Sequence, residues 1–180
     1  SPVQVGALTT WLLANAGTYE VYAVKTDGTL WCFGKNTDGQ LGQSNTTSYS
    51  SPVQVGALTT WATANGGEGG FAAIKTDGTL WVCGDAESGR TGQGNTTDVS
   101  AMTQVGALTN WSKVSYGARF TAALKTDGTL WTWGYAGQGG LGHGDLTSLS
   151  SPVQVGALTS WTVIPASSAL GQGRIYVKSS

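Results

Sequence analysis

Charged residues, cysteines and long apolar runs are scarce in this sequence, and each shortage excludes a class of protein. Only 11% of the 180 residues are charged, the formal net charge is −1, and the nine Lys and Arg residues are scattered singly. The chain therefore has no basic stripe of the kind that binds nucleic acid or an anionic membrane. No apolar run approaches the roughly 20 residues that cross a bilayer, so we expect no membrane insertion.

The two cysteines, Cys32 and Cys83, are too few for a disulfide framework. Neither belongs to a Cys-x-x-Cys pair or has a nearby histidine, so the sequence predicts no metal site. Their positions point to opposite faces of equivalent strands, and opposite faces of stacked neighbours meet. Buried free thiols are the expected state, and a bridge between the two stays open.

Glycine and repetition are what the sequence has in abundance. Among its 28 glycines, those of the phrase Lys-Thr-Asp-Gly-Thr-Leu-Trp recur at a spacing of 50 residues, in segments 25–31, 75–81 and 125–131. Asp-Gly between apolar runs is a strong hairpin signal, because glycine accepts positive φ and aspartate hydrogen-bonds its own turn. The pattern predicts structural turns at Asp27-Gly28, Asp77-Gly78 and Asp127-Gly128.

The whole chain follows this period, in repeats 1–50, 51–100 and 101–150 and a partial repeat 151–180. We interpret residues 1–180 as a single repeat domain. Each repeat supplies four short strands: an opening Pro-Val-Gln-Val segment, a segment after the next tryptophan, and the two arms of the hairpin. The polar stretches 35–50, 85–100 and 135–150 are predicted to be long loops, and variable loops are where recognition concentrates.

Small residues, Ala23, Ala73 and Ala123, stand beside the large Trp31, Trp81 and Trp131 without the clean alternation of a sheet that has a free face. This favours sheets that neighbours cover on both faces. The sequence therefore predicts an all-β fold, a β-propeller built from four-stranded repeats of about 50 residues. We expect these three tryptophans to be structural core, since a blade cannot bury a face alone. A leucine-rich-repeat solenoid requires a shorter period of about 20–29 residues.

The fourth repeat lacks its last strand, which raises the question of how the ring of blades closes. If a blade combines strands two to four of one repeat with the first strand of the next, residues 161–164 and 175–177 would meet residues 2–5. The chain also begins in mid-pattern at Ser1. We expect completion by further chain or by identical copies, that is, a homo-oligomer or a part of a longer polypeptide.

No catalytic constellation emerges from the candidate residues. The turn position of Asp27, Asp77 and Asp127 explains them without metal or acid chemistry. Lys25, Lys75 and Lys125 could form a cationic ring on one rim, but solvated strand ends are the favoured interpretation. His143 with Asp145 lacks a nucleophile at a defined spacing. We predict no catalytic, cofactor-binding or metal-binding residue and no enzymatic activity.

One family shares these motifs. The segment Ala-Leu-Lys-Thr-Asp-Gly-Thr-Leu-Trp-Thr-Trp-Gly-Tyr at 123–135, followed by Gly-Gly-Leu-Gly-His-Gly at 139–144, resembles the repeat of the regulator-of-chromosome-condensation family. The second copy departs from it at Cys83 and Thr91. The resemblance implies a seven-bladed propeller, and the family's eukaryotic founder is an exchange factor for a nuclear GTPase that binds chromatin.

The near-identical repeats resemble the bacterial and phage members of that family more than its founder. We therefore expect a non-enzymatic structural or binding module on a virion or bacterial surface, outside the cytoplasm, with a protein or surface glycan as its partner. The alternatives are an intracellular regulator that binds a GTPase or chromatin, and a multivalent glycan-binding lectin.

Overall fold

The computed structural model describes residues 4, 7, 9–163 and 178–179, and these form three four-stranded antiparallel sheets and one strand pair. The all-β fold and the four-stranded unit predicted from the sequence are confirmed. The closing contact predicted for residues 2–5, 161–164 and 175–177 falls mainly on segments outside the described residues.

Each sheet is a meander of consecutive strands, and we call the three sheets blades 1, 2 and 3. Blade 1 contains β1 (Trp11–Ala16), β2 (Glu20–Lys25), β3 (Leu30–Gly34) and β4 (Tyr49–Gln54). Blade 2 contains β5 (Trp61–Gly67), β6 (Gly70–Lys75), β7 (Leu80–Gly84) and β8 (Val99–Gln104). Blade 3 contains β9 (Trp111–Tyr116), β10 (Phe120–Lys125), β11 (Leu130–Gly134) and β12 (Leu149–Gln154).

The blades are offset by one strand from the sequence repeats. β4 begins at the end of the first repeat and runs into the second, and it pairs with β3 of the first, with Cys32 opposite Val53 and Gly34 opposite Tyr49. β8 and β12 do the same for the next two blades. Each blade therefore closes with a strand of the following repeat, which ties consecutive repeats together.

Segments 11–16 and 61–67, whose sequences are weak strand formers, are full strands in the structure. Both are first strands of a blade, and the first strands of neighbouring blades contact each other. Tertiary packing therefore compensates for their small and polar residues. The polar stretches are loops only as far as residues 48, 98 and 148, because the outermost strands begin directly after them.

Blades 1, 2 and 3 pack face to face, with β2 on β5 and β6 on β9. Most of the core lies in these two junctions, each of which is a separate apolar cluster, and a third, smaller cluster lies on the outer face of blade 3. Short 3₁₀ turns occur in the loops at Glu87–Gly89 and Gly137–Gly139, and β13 (Trp161–Val163) pairs with β14 (Lys178–Ser179). Across the described ranges, no helix has the length and apolar character needed to span a membrane.

Candidate functional site

The Asp-Gly turns lie at one end of every blade, and we call this end the turn face. In the first turn, Asp27 Oδ1 accepts hydrogen bonds from the Thr29 backbone N–H at 3.0 Å and from Thr29 Oγ1 at 2.6 Å. These bonds stabilise the carboxylate and lower the pKa of Asp27 to about 2. Gly28 has a φ of +78°, and the two other turns repeat this geometry. The three carboxylates are thus occupied by their own turns.

The tryptophans of the repeated phrase are less buried than the sequence analysis expected. Trp31, Trp81 and Trp131 are half-buried, because each indole lies near the turn face and donates its Nε1–H to the turn threonine at 2.8–2.9 Å. The deeper aromatic positions are Trp61 and Trp111, which are 3% and 2% exposed. They meet Trp81 and Trp131 edge to face.

Two of the repeated lysines are buried, so the interpretation of all three as solvated strand ends was wrong. Lys75 Nζ lies 3.5 Å from the ring centroid of Trp81, and Lys125 Nζ lies 3.5 Å from that of Trp131. Aromatic faces attract cations, which offsets part of the cost of desolvation. Desolvation still lowers the pKa of both lysines. They are packing residues of the blades.

The other residues that could take part in catalysis or metal binding are buried or engaged in hydrogen bonds. Cys32 and Cys83 are free and buried in the same cluster, and burial raises the pKa of Cys32 to about 11. His143 Nε2 lies 3.0 Å from Thr132 Oγ1, while Asp145 accepts from the Thr147 backbone N–H. Within the described residues, no group of three or more His, Cys, Asp or Glu side chains is arranged to hold a metal ion.

The opposite end of the blades, which we call the loop face, carries the two most exposed large apolar side chains among the described residues. It is formed by the short turns at 17–19, 68–69 and 117–119 and the long loops at 35–48, 85–98 and 135–148. Turn and loop meet through backbone bonds such as Tyr135 N–H to Arg119 C=O at 2.9 Å. Tyr19 is 71% exposed and Leu146 is 70% exposed.

Blade 3 contributes a paired arginine and tyrosine to this surface. The guanidinium of Arg119, an exposed residue, lies over the ring of Tyr135 at 5.2 Å, and Tyr135 is itself 38% exposed. Tyrosine and arginine are the residues that most often dominate protein interfaces. The pairing also restricts both side chains, which reduces the conformational entropy that they lose on binding.

Buried polar side chains order the first two long loops. In the first loop Asn36 donates from Nδ2 to the carbonyls of Asn45 and Thr47, both at 2.9 Å, and accepts at Oδ1 from Leu41 N–H at 2.8 Å. In the second loop Arg90, only 4% exposed, donates to the side chain and backbone of Asp85 and to the carbonyls of Glu68 and Ala118. Because Ala118 precedes Arg119, Arg90 fixes the turn that presents the exposed arginine.

Sequence reasoning located the long loops but not the residues that matter in them. The turns at 17–19 and 117–119 were not considered, although Tyr19 and Arg119 stand out as large side chains among glycine and small residues. Tyr49, which falls in the stretch 35–50 predicted to be a loop, lies in β4 and is half-buried, with its hydroxyl accepting from Asn45 Nδ2.

The stacked, offset, four-stranded blades define a β-propeller repeat protein. The model of the regulator of chromosome condensation (RCC1) repeat matches residues 27–74 and 127–169, which is about half of the chain, and a second model of that repeat matches residues 111–139. The chain therefore belongs to the RCC1-repeat family. No curated protein sequence matches it.

Solved structures agree with this assignment at the level of the fold. Prp20p of Saccharomyces cerevisiae, described with its binding to Gsp1p and histones, has a TM-score of 0.75 and 18% identity over 84% of this chain. Yeast RCC1 (Prp20) bound to Kap60 has a TM-score of 0.78 and 17% identity over 88% of the chain. Human WBSCR16 has a TM-score of 0.70 and 22% identity over 80% of it.

The chain spans only about two fifths of the length of these structures, 39%, 40% and 37% respectively.

Proposed function

We propose that this chain is a non-enzymatic binding module whose loop face recognises a protein partner. The observation that carries the proposal is the paired and exposed Arg119 and Tyr135, with exposed Leu146 in the same loop as Tyr135. The loop that holds Tyr135 and Leu146 has hydrogen bonds of its own, from Ala136 N–H to Ser148 Oγ at 3.2 Å and from Tyr135 N–H to the Arg119 carbonyl at 2.9 Å. They limit the conformational entropy that is lost on binding. The turn face, by contrast, uses its polar groups internally.

The place of action that we favour is a virion or a bacterial surface, with an extracellular or virion-associated location. The support is the resemblance of the near-identical repeats to the bacterial and phage members of the family. We further infer that residues 1–180 act as a single domain, completed either by identical copies or as part of a longer chain. Fractionation of the producing cells and of any particles they release tests the location.

Site-specific photo-crosslinking tests the binding surface. A photoreactive amino acid replaces Leu146 on the loop face in one variant and Leu108, 45% exposed on the turn face, in its matched control. The expected result is a crosslinked protein from position 146 and none from position 108, reduced when Arg119→Ala and Tyr135→Ala are added. Crosslinks from position 108 alone would contradict the proposal.

A second candidate is an intracellular regulator, and the similarity to Prp20p favours it. That yeast protein is described as binding Gsp1p and histones. Nucleotide exchange on a Gsp1-type GTPase and binding to histones are the corresponding assays, and activity in either would replace the first proposal. A glycan array separates both from a lectin, for which the loop face offers the exposed rings of Tyr19 and Tyr135.

A further inference from the structure

A groove of about 490 Å³ lies between blades 2 and 3, and every residue that lines it belongs to the described part of the chain. It is lined by residues 92–94 of the second long loop, 104–106 and 108 at and after the end of β8, 151–152 of β12, Trp111 and Trp131. We call this surface the junction groove. Clefts of this size are typical sites for small molecules.

Two tryptophans and a leucine form the apolar part of the junction groove. Trp111 is 2% exposed and packs edge to face on the half-buried Trp131, with 5.9 Å between ring centroids. The Nε1–H of Trp131 is donated to Thr129 Oγ1, so what this indole offers a ligand is ring carbon surface. Leu108, 45% exposed, adds aliphatic surface. The groove can therefore accept the apolar side of a ligand.

The polar part of the junction groove consists of uncharged side chains. Gln93 Nε2 donates to the Gln104 carbonyl at 3.1 Å, which holds the Gln93 side chain in place. The side-chain amide of Gln104 and the hydroxyl of Ser151 have no hydrogen-bond partner among the described residues. An amide and a hydroxyl can each donate and accept. No residue that lines the groove is charged, so the lining suits a neutral ligand with groups that do both.

The first junction shows the same surface with a different filling. Ala101 and Met102 stand there at the positions of Ser151 and Pro152. Met102 packs against the apolar cluster of that junction, and its Sδ lies 3.2 Å from the place of a Cβ on Gly42, whose counterpart lines the junction groove. The second junction has a shorter proline in place of this methionine and a hydroxyl in place of the alanine methyl group.

We propose that the junction groove binds a neutral saccharide. The C–H face of a sugar ring packs against Trp131 and Leu108, and the hydroxyls at the rim of the ring pair with the side chains of Gln104 and Ser151. A charged ligand would find no opposite charge in the lining. A purely apolar ligand would deprive the amide and the hydroxyl of water without replacing it. The inference is independent of the protein partner proposed above, because none of the exposed loop-face side chains named there lines the groove.

An array of neutral, sialylated and sulfated oligosaccharides, probed with the 180-residue chain, tests the proposal. The expected result is binding to one or more neutral oligosaccharides, and titration calorimetry with the best of them then gives the affinity. Gln104→Ala should weaken binding by about three- to tenfold, since it removes a hydrogen bond between neutral groups. Gln54→Ala, at the same position of the first junction, is the matched control and should bind like the unmodified chain.

A double variant, Ser151→Ala with Pro152→Met, gives the first junction's residues to the second and should abolish binding. Both residues already occur at these positions of a folded blade, and thermal denaturation verifies that the variant folds. Tyr19→Ala with Tyr135→Ala, on the loop face, should leave the affinity unchanged. Binding to charged oligosaccharides alone, or to none, overturns the proposal. So does binding that survives both groove variants or is lost with the two loop-face tyrosines, and so does capture at the groove of peptides from a parallel peptide array instead of saccharides.

Discussion

The junction between blades 1 and 2 and the junction between blades 2 and 3 have the same arrangement of strands. Their large side chains, however, come from opposite sides. In the first junction Tyr22 of blade 1 stacks on Phe71 at 4.2 Å between ring centroids, with 28° between the planes. Its ring lies against Gly66, where an added Cβ would overlap Tyr22. The large residue comes from the preceding blade, and the glycine of the following blade makes room.

In the second junction the sizes are exchanged. Ala72 stands at the position of Tyr22, and Tyr116 stands at the position of Gly66. Both belong to the same buried cluster, and the Tyr116 hydroxyl donates to the Asp85 carbonyl at 3.1 Å. The large side chain therefore comes from blade 1 in the first junction and from blade 3 in the second.

This exchange shows how nearly identical repeats can keep a fixed order. If blades 1 and 3 were neighbours, Tyr22 would face Tyr116, which overfills the core. A face with a small residue such as Ala72, packed against a face with a glycine such as Gly66, would leave a cavity instead. Each junction accepts its own partner best, and this limits the mispairing to which repeat proteins are prone.

The largest expected effect comes from removing one half of such a pair. Tyr22→Ala should lower the free energy of unfolding by about 3–5 kcal/mol, because a buried aromatic is replaced by a cavity. Adding Gly66→Tyr, which imports the arrangement of the second junction, should recover part of that loss. Urea denaturation measures both. Simple additivity of the two changes would contradict the compensation.

The second junction is held by Arg90, at the position that Gln40 has in the first. Arg90→Ala should cost about 2–3 kcal/mol, because the guanidinium bonds to a carboxylate and to carbonyls on both blades. The matched control is Lys35→Ala, which removes an exposed ion pair to Asp38 and should change stability by less than about 1 kcal/mol. Equal losses from the two variants would show that Arg90 contributes no more than a surface pair.

A glycine at the turn face provides a smaller and more local test. Gly78→Ala should cost at least about 1–2 kcal/mol, because φ is +78° and the new Cβ would overlap the Thr109 carbonyl of the next connection. Gly106→Ala is the control, since its φ is +59° with nothing within 4 Å of the new Cβ. In thermal denaturation, Gly78→Ala should have a lower melting temperature than Gly106→Ala. The reverse order would show that the approach of the new Cβ to the Thr109 carbonyl does not matter.

The sequence was sufficient for the fold because its signals are local and periodic. Asp27-Gly28 predicts its turn from two residues, and the 50-residue spacing extends the argument along the chain. Periodicity does not show which of two equally repeated tryptophan positions is more deeply buried. Trp61 and Trp81 recur equally, yet only Trp61 is fully covered, since depth depends on the neighbouring blade.

The candidate site was less predictable for the same reason. A pairing such as Arg119 with Tyr135 joins a short turn to a long loop, and neither segment alone marks it. The size exchange between Tyr22 and Tyr116 is also invisible until the facing residues are known. Contacts between repeats are nonlocal, so composition and period leave them open.

The smallest expected effect concerns Glu20, a carboxyl in blade 1 whose positions in blades 2 and 3 are held by Gly70 and Phe120. Burial raises the pKa of Glu20, although Gln40 and the Tyr19 backbone N–H donate to its oxygens. The folded chain therefore retains a proton, above the ordinary value of 4.5, that the unfolded chain has released. Stability must fall as pH rises from that value through the raised pKa of the folded state.

Glu20→Gln removes this titration. Its free energy of unfolding relative to the unmodified chain should increase across that pH window and stay constant above it. Asp27, Asp77 and Asp127, whose pKa values are lowered, contribute the opposite slope at more acidic pH in both proteins, so their effect cancels in the difference. Glu68→Gln, at an exposed position, is the control for the loss of one charge. A difference between Glu20→Gln and the unmodified chain that does not change with pH would mean that Glu20 is ionised in the folded blade as readily as in the unfolded chain.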